Sequence, residues 1–246
     1  MTRLFCLSLL FIHVGFLRLN AESEWRPWVE KINGRLVETL TPPQRSALAQ
    51  PPVRVTEGKS PRLVTQGRQV LVSEDTLELW SRLAVAIGRD SDCPGYLAEF
   101  LRRCADAPSG VAALPDPAEI PTKKARKPVT DDRNQQLTAF NQLAATLVAT
   151  ELIRTSLVQP GVDSASIGST PVATSLSDAQ ALEALRGGTQ LAARSGYTSE
   201  ALQSLVKALP TGAPAPEWAN SFLPPQTRGP ALAKEIKKVE RKALGR

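Results

Sequence analysis

Proline sets the tightest limit on what this chain can fold into. Inside a helix it removes a hydrogen bond and collides with the preceding turn, and in a sheet it is tolerated only at edges and bulges. The chain has 20 prolines, and most are gathered: Pro42-Pro43, Pro51-Pro52, five between residues 106 and 129, Pro160, and a further group within 210–230. Regular elements must lie in the intervals between these groups.

Those intervals read mainly as helix. Behind Pro27, Trp28, Ile32, Leu36 and Leu40 recur every four residues, with Gly34 as a weak point. Thr41 ahead of Pro42-Pro43 predicts a short capped helix through Gln50. Ser73 caps a helix through about Gly88, with Glu74 and Asp75 in the first turn and Leu77, Trp80, Leu83, Ala84 and Ile87 on one face. A second helix follows from about Cys93 to Ala105, carrying Tyr96, Leu97, Phe100 and Leu101 inward. Residues 130–158 predict the longest helix, with Leu137, Phe140, Ala144, Leu147 and Val148 on one side and the amides Gln135, Gln136, Asn141 and Gln142 on the other. Ser177-Asp178-Ala179-Gln180 is a capping-box pattern opening a helix that Gly187-Gly188 would bend or split. Thr198 opens another, stopped by Pro210. After Gly229-Pro230 comes a last basic helix, Ala231 to about Leu244.

One stretch has a different texture. Val53–Thr56, Arg62–Thr65 and Gln69–Val72 are short β-rich runs parted by turn residues. They predict a small hairpin or three-stranded meander that must lean on helices. Aromatics are only 5% of residues and the apolar material is mostly Leu, Val and Ala, which suits packed helices over a β-sandwich. The expected fold is therefore mostly α, an irregular helical bundle with a small β element near 53–72 and long proline-rich linkers. The expected segments are an N-terminal helical part at 22–106, a Pro/Lys-rich linker at 107–129, a helical part at 130–210, a proline-rich segment at 211–230 and a basic amphipathic helix at 231–246. The two helical parts are expected to be loosely joined.

The first 21 residues read as an export signal. Arg3 gives a positive start, Leu4 to Leu17 is apolar apart from Ser8, His13 and Gly15, and Arg18-Leu19-Asn20-Ala21 is a polar exit ending in a small residue. The apolar run is short for a membrane span, which takes about 20 residues. Cleavage after Ala21 leaves an exported protein, periplasmic or secreted. If Leu19 prevents cleavage, residues 4–17 tether it to a membrane. The cleaved segment takes with it His13, the chain's single histidine, and two of the charges that make up its net +6. Histidine-activated nucleophiles, histidine bases and histidine-bound zinc are then excluded from the mature chain.

Several patterns invite a chemical reading. Cys93 and Cys104, in an exported chain, form a candidate disulfide. A continuous helix between them would hold their Cα atoms about 16 Å apart, so the alternatives are free thiols or pairing between molecules. Gly58-Lys59-Ser60 ends like a phosphate-binding loop, but Val53 stands where the pattern needs glycine, so a turn is expected. Ser204-Leu205-Val206-Lys207 has Ser-x-x-Lys spacing without its companion motifs. The acid pairs Glu22/Glu24, Asp90/Asp92 and Asp131/Asp132 sit at helix starts or turns, where capping explains them. Leu40-Thr41-Pro42-Pro43-Gln44 resembles the Leu-Thr-x-x-Gln motif of small periplasmic stress chaperones. It covers five residues, in one copy where that family has two, and Thr41 as a helix cap explains it locally, so no membership is drawn from it.

The last helix carries most of the charge. Lys234, Lys237, Lys238, Arg241, Lys242 and Arg246 face two acids, Glu235 and Glu240, while Leu232, Ile236, Val239 and Ala243 share one side. Such a helix docks its apolar side with its lysines in water, or meets an anionic membrane surface or acidic partner. Lys234, Lys237, Lys238, Arg241 and Lys242 are the candidate contacts. Nucleic acid is not an expected partner, since aromatic stacking platforms and long basic tracts are missing. No catalytic, cofactor or metal residues are expected. The function expected is a non-enzymatic component of the cell envelope, an assembly or accessory protein that contacts another envelope or secreted protein. The alternatives are a carboxylate-dependent hydrolase of cell-wall or glycan material, and a peripheral membrane-surface protein held by 231–246.

Overall fold

The computed structural model describes residues 27–57, 61–107, 114–120, 132–157, 177–209, 216, 218–219, 223 and 228–246. Residues 1–21, read above as an export signal, the Gly58-Lys59-Ser60 pattern and the basic run at 123–127 lie outside the described residues. The protein is mostly helical with one small sheet, as expected.

Helix α1 (residues 27–39) buries Val29, Ile32 and Leu36, with Leu40 just beyond it. Helix α2 (Pro42–Ser46) is shorter than expected. Its start is fixed by Gln44, whose Oε1 accepts from Thr41 N (3.0 Å) and Thr41 Oγ1 (2.9 Å). Its far end is covered by Arg68, which donates to the carbonyls of Ser46, Ala47 and Leu48. A guanidinium there neutralises the carbonyl end of the helix.

Strands β1 (Val53–Thr56), β2 (Leu63–Gln66) and β3 (Gln69–Ser73) form a sheet in the order β1-β3-β2. β2 and β3 make the expected hairpin, with Gln66 opposite Gln69 and Gly67 at φ 56° in the turn. β1 joins the other edge of β3 in parallel, Val53 beside Val70. The inward residues of this sheet, Leu63, Val70 and Val72, face the helices.

Helix α3 (Glu74–Asp92) follows directly, capped as expected by Ser73, whose Oγ accepts from Thr76 N (3.3 Å). The next helix, α4 (Tyr96–Asp106), starts later than the sequence periodicity suggests. Pro94-Gly95 breaks the path, Gly95 taking φ 91°, and Asp90 Oδ1 accepts from both Gly95 N and Leu97 N at 3.0 Å.

Helix α5 (Arg133–Leu157) is the centre of the molecule. It packs on α3, on helices α6 (Asp178–Arg194) and α7 (Glu200–Ala208), and on β2 and β3. Trp80 of α3 meets Phe140 of α5 edge-on at 6.4 Å, both fully buried. Such an aromatic pair adds about 1 kcal/mol to the area it buries. The expected two loosely joined parts are therefore not what forms. One hydrophobic core runs from Val29 through α3 and α5 to Ile236. Even part of the 107–129 linker is fastened to it: Leu114 and Ile120 are buried, Arg82 donates to the Leu114 carbonyl (2.7 Å), and Arg89 to that of Pro117 (2.7 Å).

Gly187-Gly188 does not split α6, which runs unbroken from Asp178 to Arg194. A Cβ on Gly188 would stand 2.5 Å from the Thr150 Cα and N, and one on Gly187 2.8 Å from Ile153 Cγ2. The glycines let α5 and α6 touch backbone to backbone.

Candidate functional site

The feature that most distinguishes this surface is the last helix, α8 (Pro230–Ala243). Gly229 at φ 103° turns the chain into it and Pro230 occupies its first turn. Leu232, Ala233 and Ile236 are buried against α6 and α7. The docked arrangement of a basic helix is thus the one that forms. The crevice between α6 and α8, lined by Leu182, Leu185, Thr189, Leu232, Ile236 and Val239, is too narrow to hold a water molecule.

The fate of the helix's two acids is what gives it its character. Glu240 is buried and accepts from Ser199 N (3.2 Å), from Ser199 Oγ and from Gln203 Nε2 (3.4 Å). Ser199 is the N-cap of α7. A carboxylate there meets unpaired amides and the positive end of a helix dipole. Glu235 pairs with Arg186 of α6. Glu240 is therefore turned into the protein, and Glu235, partly exposed, is taken up by a cation of α6 rather than of its own helix. Lys234, Lys237, Lys238, Arg241 and Lys242 are all exposed, and none has an ion pair among the described residues. The sequence-expected contact residues are thus brought to one open face.

Helix α4 shows that this is not the usual treatment of surface charge here. Arg102 donates to Glu99 and Asp106 at 2.9 Å, and Arg103 to Glu99 at 2.8 Å. These partners hold the Glu99 carboxyl down at about 2, through the hydrogen bonds from Arg102 and then Arg103. The charges of α4 cancel one another; those of α8 do not.

A second cluster lies where α5 crosses β2. Glu151 is almost fully buried; its Oε2 accepts from Thr65 Oγ1 (3.0 Å) and its Oε1 lies 3.3 Å from Arg154 Nε. Thr155 stands 3.4 Å from Thr65 Oγ1 and donates to the Glu151 carbonyl (2.9 Å). Burial raises the Glu151 carboxyl above the ordinary carboxylate range, against Arg154 and the Thr65 bond. Its hydrogen bonds run to side chains that pin β2 to α5, which is a structural use.

Cys93 and Cys104 are unbridged and both buried. Cys93 is the C-cap of α3 and Cys104 lies in α4. Burial pushes the Cys104 thiol up to about 12, outweighing the pull of Arg82. A thiol so far from ionisation is a poor nucleophile. Of the Ser-x-x-Lys pair on α7, Ser204 is half-buried and Lys207 exposed. Asp90 is occupied in capping α4. Among the described residues, no group of three or more His, Cys, Asp or Glu could hold a metal ion. No helix among them is long and apolar enough to cross a membrane.

The buried acids were not anticipated, though a signal existed for each. Glu240 continues the spacing of Leu232 and Ile236, so it had to sit on the docked face. Glu151 is the only acid in α5 and follows Leu147 by one turn.

No protein-family model, no curated protein and no solved structure matches this chain.

Proposed function

We propose that this protein is an exported, non-enzymatic accessory component of the cell envelope that works by surface contact. The observation that carries the reading is the employment of its buried carboxylates. Glu151 is spent on Thr65 and Arg154, and Glu240 on Ser199 and Gln203. A glycan hydrolase needs two acids facing one substrate, about 5–10 Å apart, in a cleft that shields it. Acids tied into helix–helix and helix–strand joints are not free for that work. The pattern of residues 1–21 supports export.

The test sets the purified protein against cell-wall polysaccharide and measures release of new reducing ends, beside chemical cross-linking in its own envelope fraction. The expected outcome is no release, together with a stoichiometric cross-linked partner that binds again when both are purified. Release of reducing ends that disappears in a Glu→Gln variant would replace this reading with the hydrolase.

A further inference from the structure

We infer that the outward face of α8 is a binding site for an anionic, phosphate-bearing lipid surface, engaged by charge alone and without insertion. It goes beyond the accessory role and stands apart from it, since an enzyme could carry the same face.

The geometry is a stripe. Lys234, Lys237, Lys238, Arg241 and Lys242 lie at intervals of three and four residues, so they share one side of the helix over about 12 Å. The two acids of α8 do not neutralise the stripe, because Glu240 is buried on Ser199 and Gln203 and Glu235 is ion-paired with Arg186 of α6. The helix is fixed to α6 and α7 by Leu232, Ala233 and Ile236, so the stripe is presented rigidly.

The same observations choose among anionic occupants. A specific protein interface is built around a buried apolar or aromatic centre, with lysine depleted. This face offers four lysines and one arginine; Leu244, 41% exposed, is the one exposed large hydrophobic among the described residues, and it lies past the helix end. A nucleic acid strand would look for aromatic platforms, which the stripe does not contain. A membrane surface asks for no apolar centre and no fixed fork geometry. It attracts point charges, which is what lysine ammoniums are. The apolar side of α8 is already occupied by the protein, so the helix cannot sink into the acyl boundary as a free amphipathic helix does. The attachment is therefore peripheral and salt-sensitive.

Flotation of the full chain with lipid vesicles tests this. One set contains phosphatidylglycerol for a third of its lipid; the other is phosphatidylcholine alone. The ratio of the two affinities is the readout, because any hold from the apolar residues 4–17 contributes equally to both. The inference expects a ratio well above ten at low salt, falling toward one near 1 M salt, where screening acts within about 3 Å. Each Lys→Gln change on the stripe should lower it about fivefold. The combined variant K234Q/K237Q/K238Q/K242Q should bring it down to about five, the share left to Arg241, while the melting curve stays unchanged. A ratio near one for the native chain, or one the fourfold variant does not move, overturns the inference. Soluble polyglutamate and inorganic phosphate are the competing probes. Displacement from vesicles by polyglutamate at matched charge would assign the face to an acidic polypeptide instead, and displacement by millimolar phosphate would assign it to a discrete phosphate site. Either outcome overturns the lipid assignment.

Discussion

Gly188 of α6 lies against Thr150 of α5 so closely that a Cβ added to it would stand 2.5 Å from the Thr150 Cα and backbone nitrogen. Real side-chain carbons do not approach backbone at that distance, so the two helices would have to separate along their whole contact. Gly188→Ala is expected to destabilise the protein by about 3 kcal/mol, at the upper end of overpacking effects. Gly187→Ala meets no backbone, only the branched base of the Ile153 side chain at Cγ2, Cγ1 and Cβ, and should cost about 1–2 kcal/mol. Gly34→Ala is the internal control: α1 leaves open space there, and alanine's better helix propensity should stabilise by about 0.5–1 kcal/mol. Urea unfolding of the three variants, followed by far-ultraviolet circular dichroism, checks the order.

Glu240 joins α8 to the start of α7. Glu240→Ala leaves the Ser199 amide and hydroxyl without their acceptor, while Gln203 keeps its bond to Ser199 Oγ (3.0 Å), and should cost about 1–3 kcal/mol. Because the joint is local, hydrogen exchange should rise first in α7 and α8, with α3 and α5 keeping their protection. Uniform loss of protection would mean that α8 is less separately docked than the contacts indicate.

Glu151 gives the protein a definite pH response. Burial raises its carboxyl above the ordinary range, so the folded state binds a proton more tightly than the unfolded one. For an acid shifted in that direction, stability is greatest at low pH and falls as pH rises through the unfolded and then the folded value. Glu151→Gln removes the dependence. The stability of the variant relative to the native chain should therefore increase from pH 4 to pH 7. Chemical unfolding at the two pH values measures it, and a difference that is constant or reversed would contradict the burial argument.

The cysteines should behave as inert thiols. Cys104 is held far from ionisation and both side chains are buried, so a disulfide-exchange reagent at pH 8 should react slowly with the folded chain and rapidly once it is unfolded. Intact mass after alkylation under denaturing conditions should show both Cys93 and Cys104 modified without prior reduction.

How far the fold was legible follows from which residues act locally. Ser73, Thr41 and the Ser177–Gln180 box announced helix starts because a cap depends only on residues within one turn. The strands were visible as short β-rich runs between turn residues. Their pairing was not: β1 lies parallel to β3, beyond the hairpin that β3 makes with β2, and β-rich runs alone do not say which edge a third strand joins. Gly187-Gly188 looked like a break because sequence alone prices glycine against its own helix; the gain came from α5, which lies elsewhere in the chain. The linker at 107–129 looked unattached because Arg82 and Arg89 reach its carbonyls from α3, and backbone carbonyls carry no sequence signature. On α8 the cation stripe was readable in full. The spacing of Leu232, Ile236 and Glu240 placed Glu240 on the docked side; that Ser199 would take up its charge, and Arg186 that of Glu235, was hidden, because these partners lie on α7 and α6.

We propose that the chain leaves the cytoplasm and then acts at an envelope surface through α8. Fractionation of its own host cell, with N-terminal sequencing of the recovered protein, tests this most directly. The expected result is a chain beginning at Glu22, outside the cytoplasm, pelleting with membranes at low salt, released by high salt, and already soluble in the K234Q/K237Q/K238Q/K242Q variant. An uncut chain retained in the cytoplasm would contradict it.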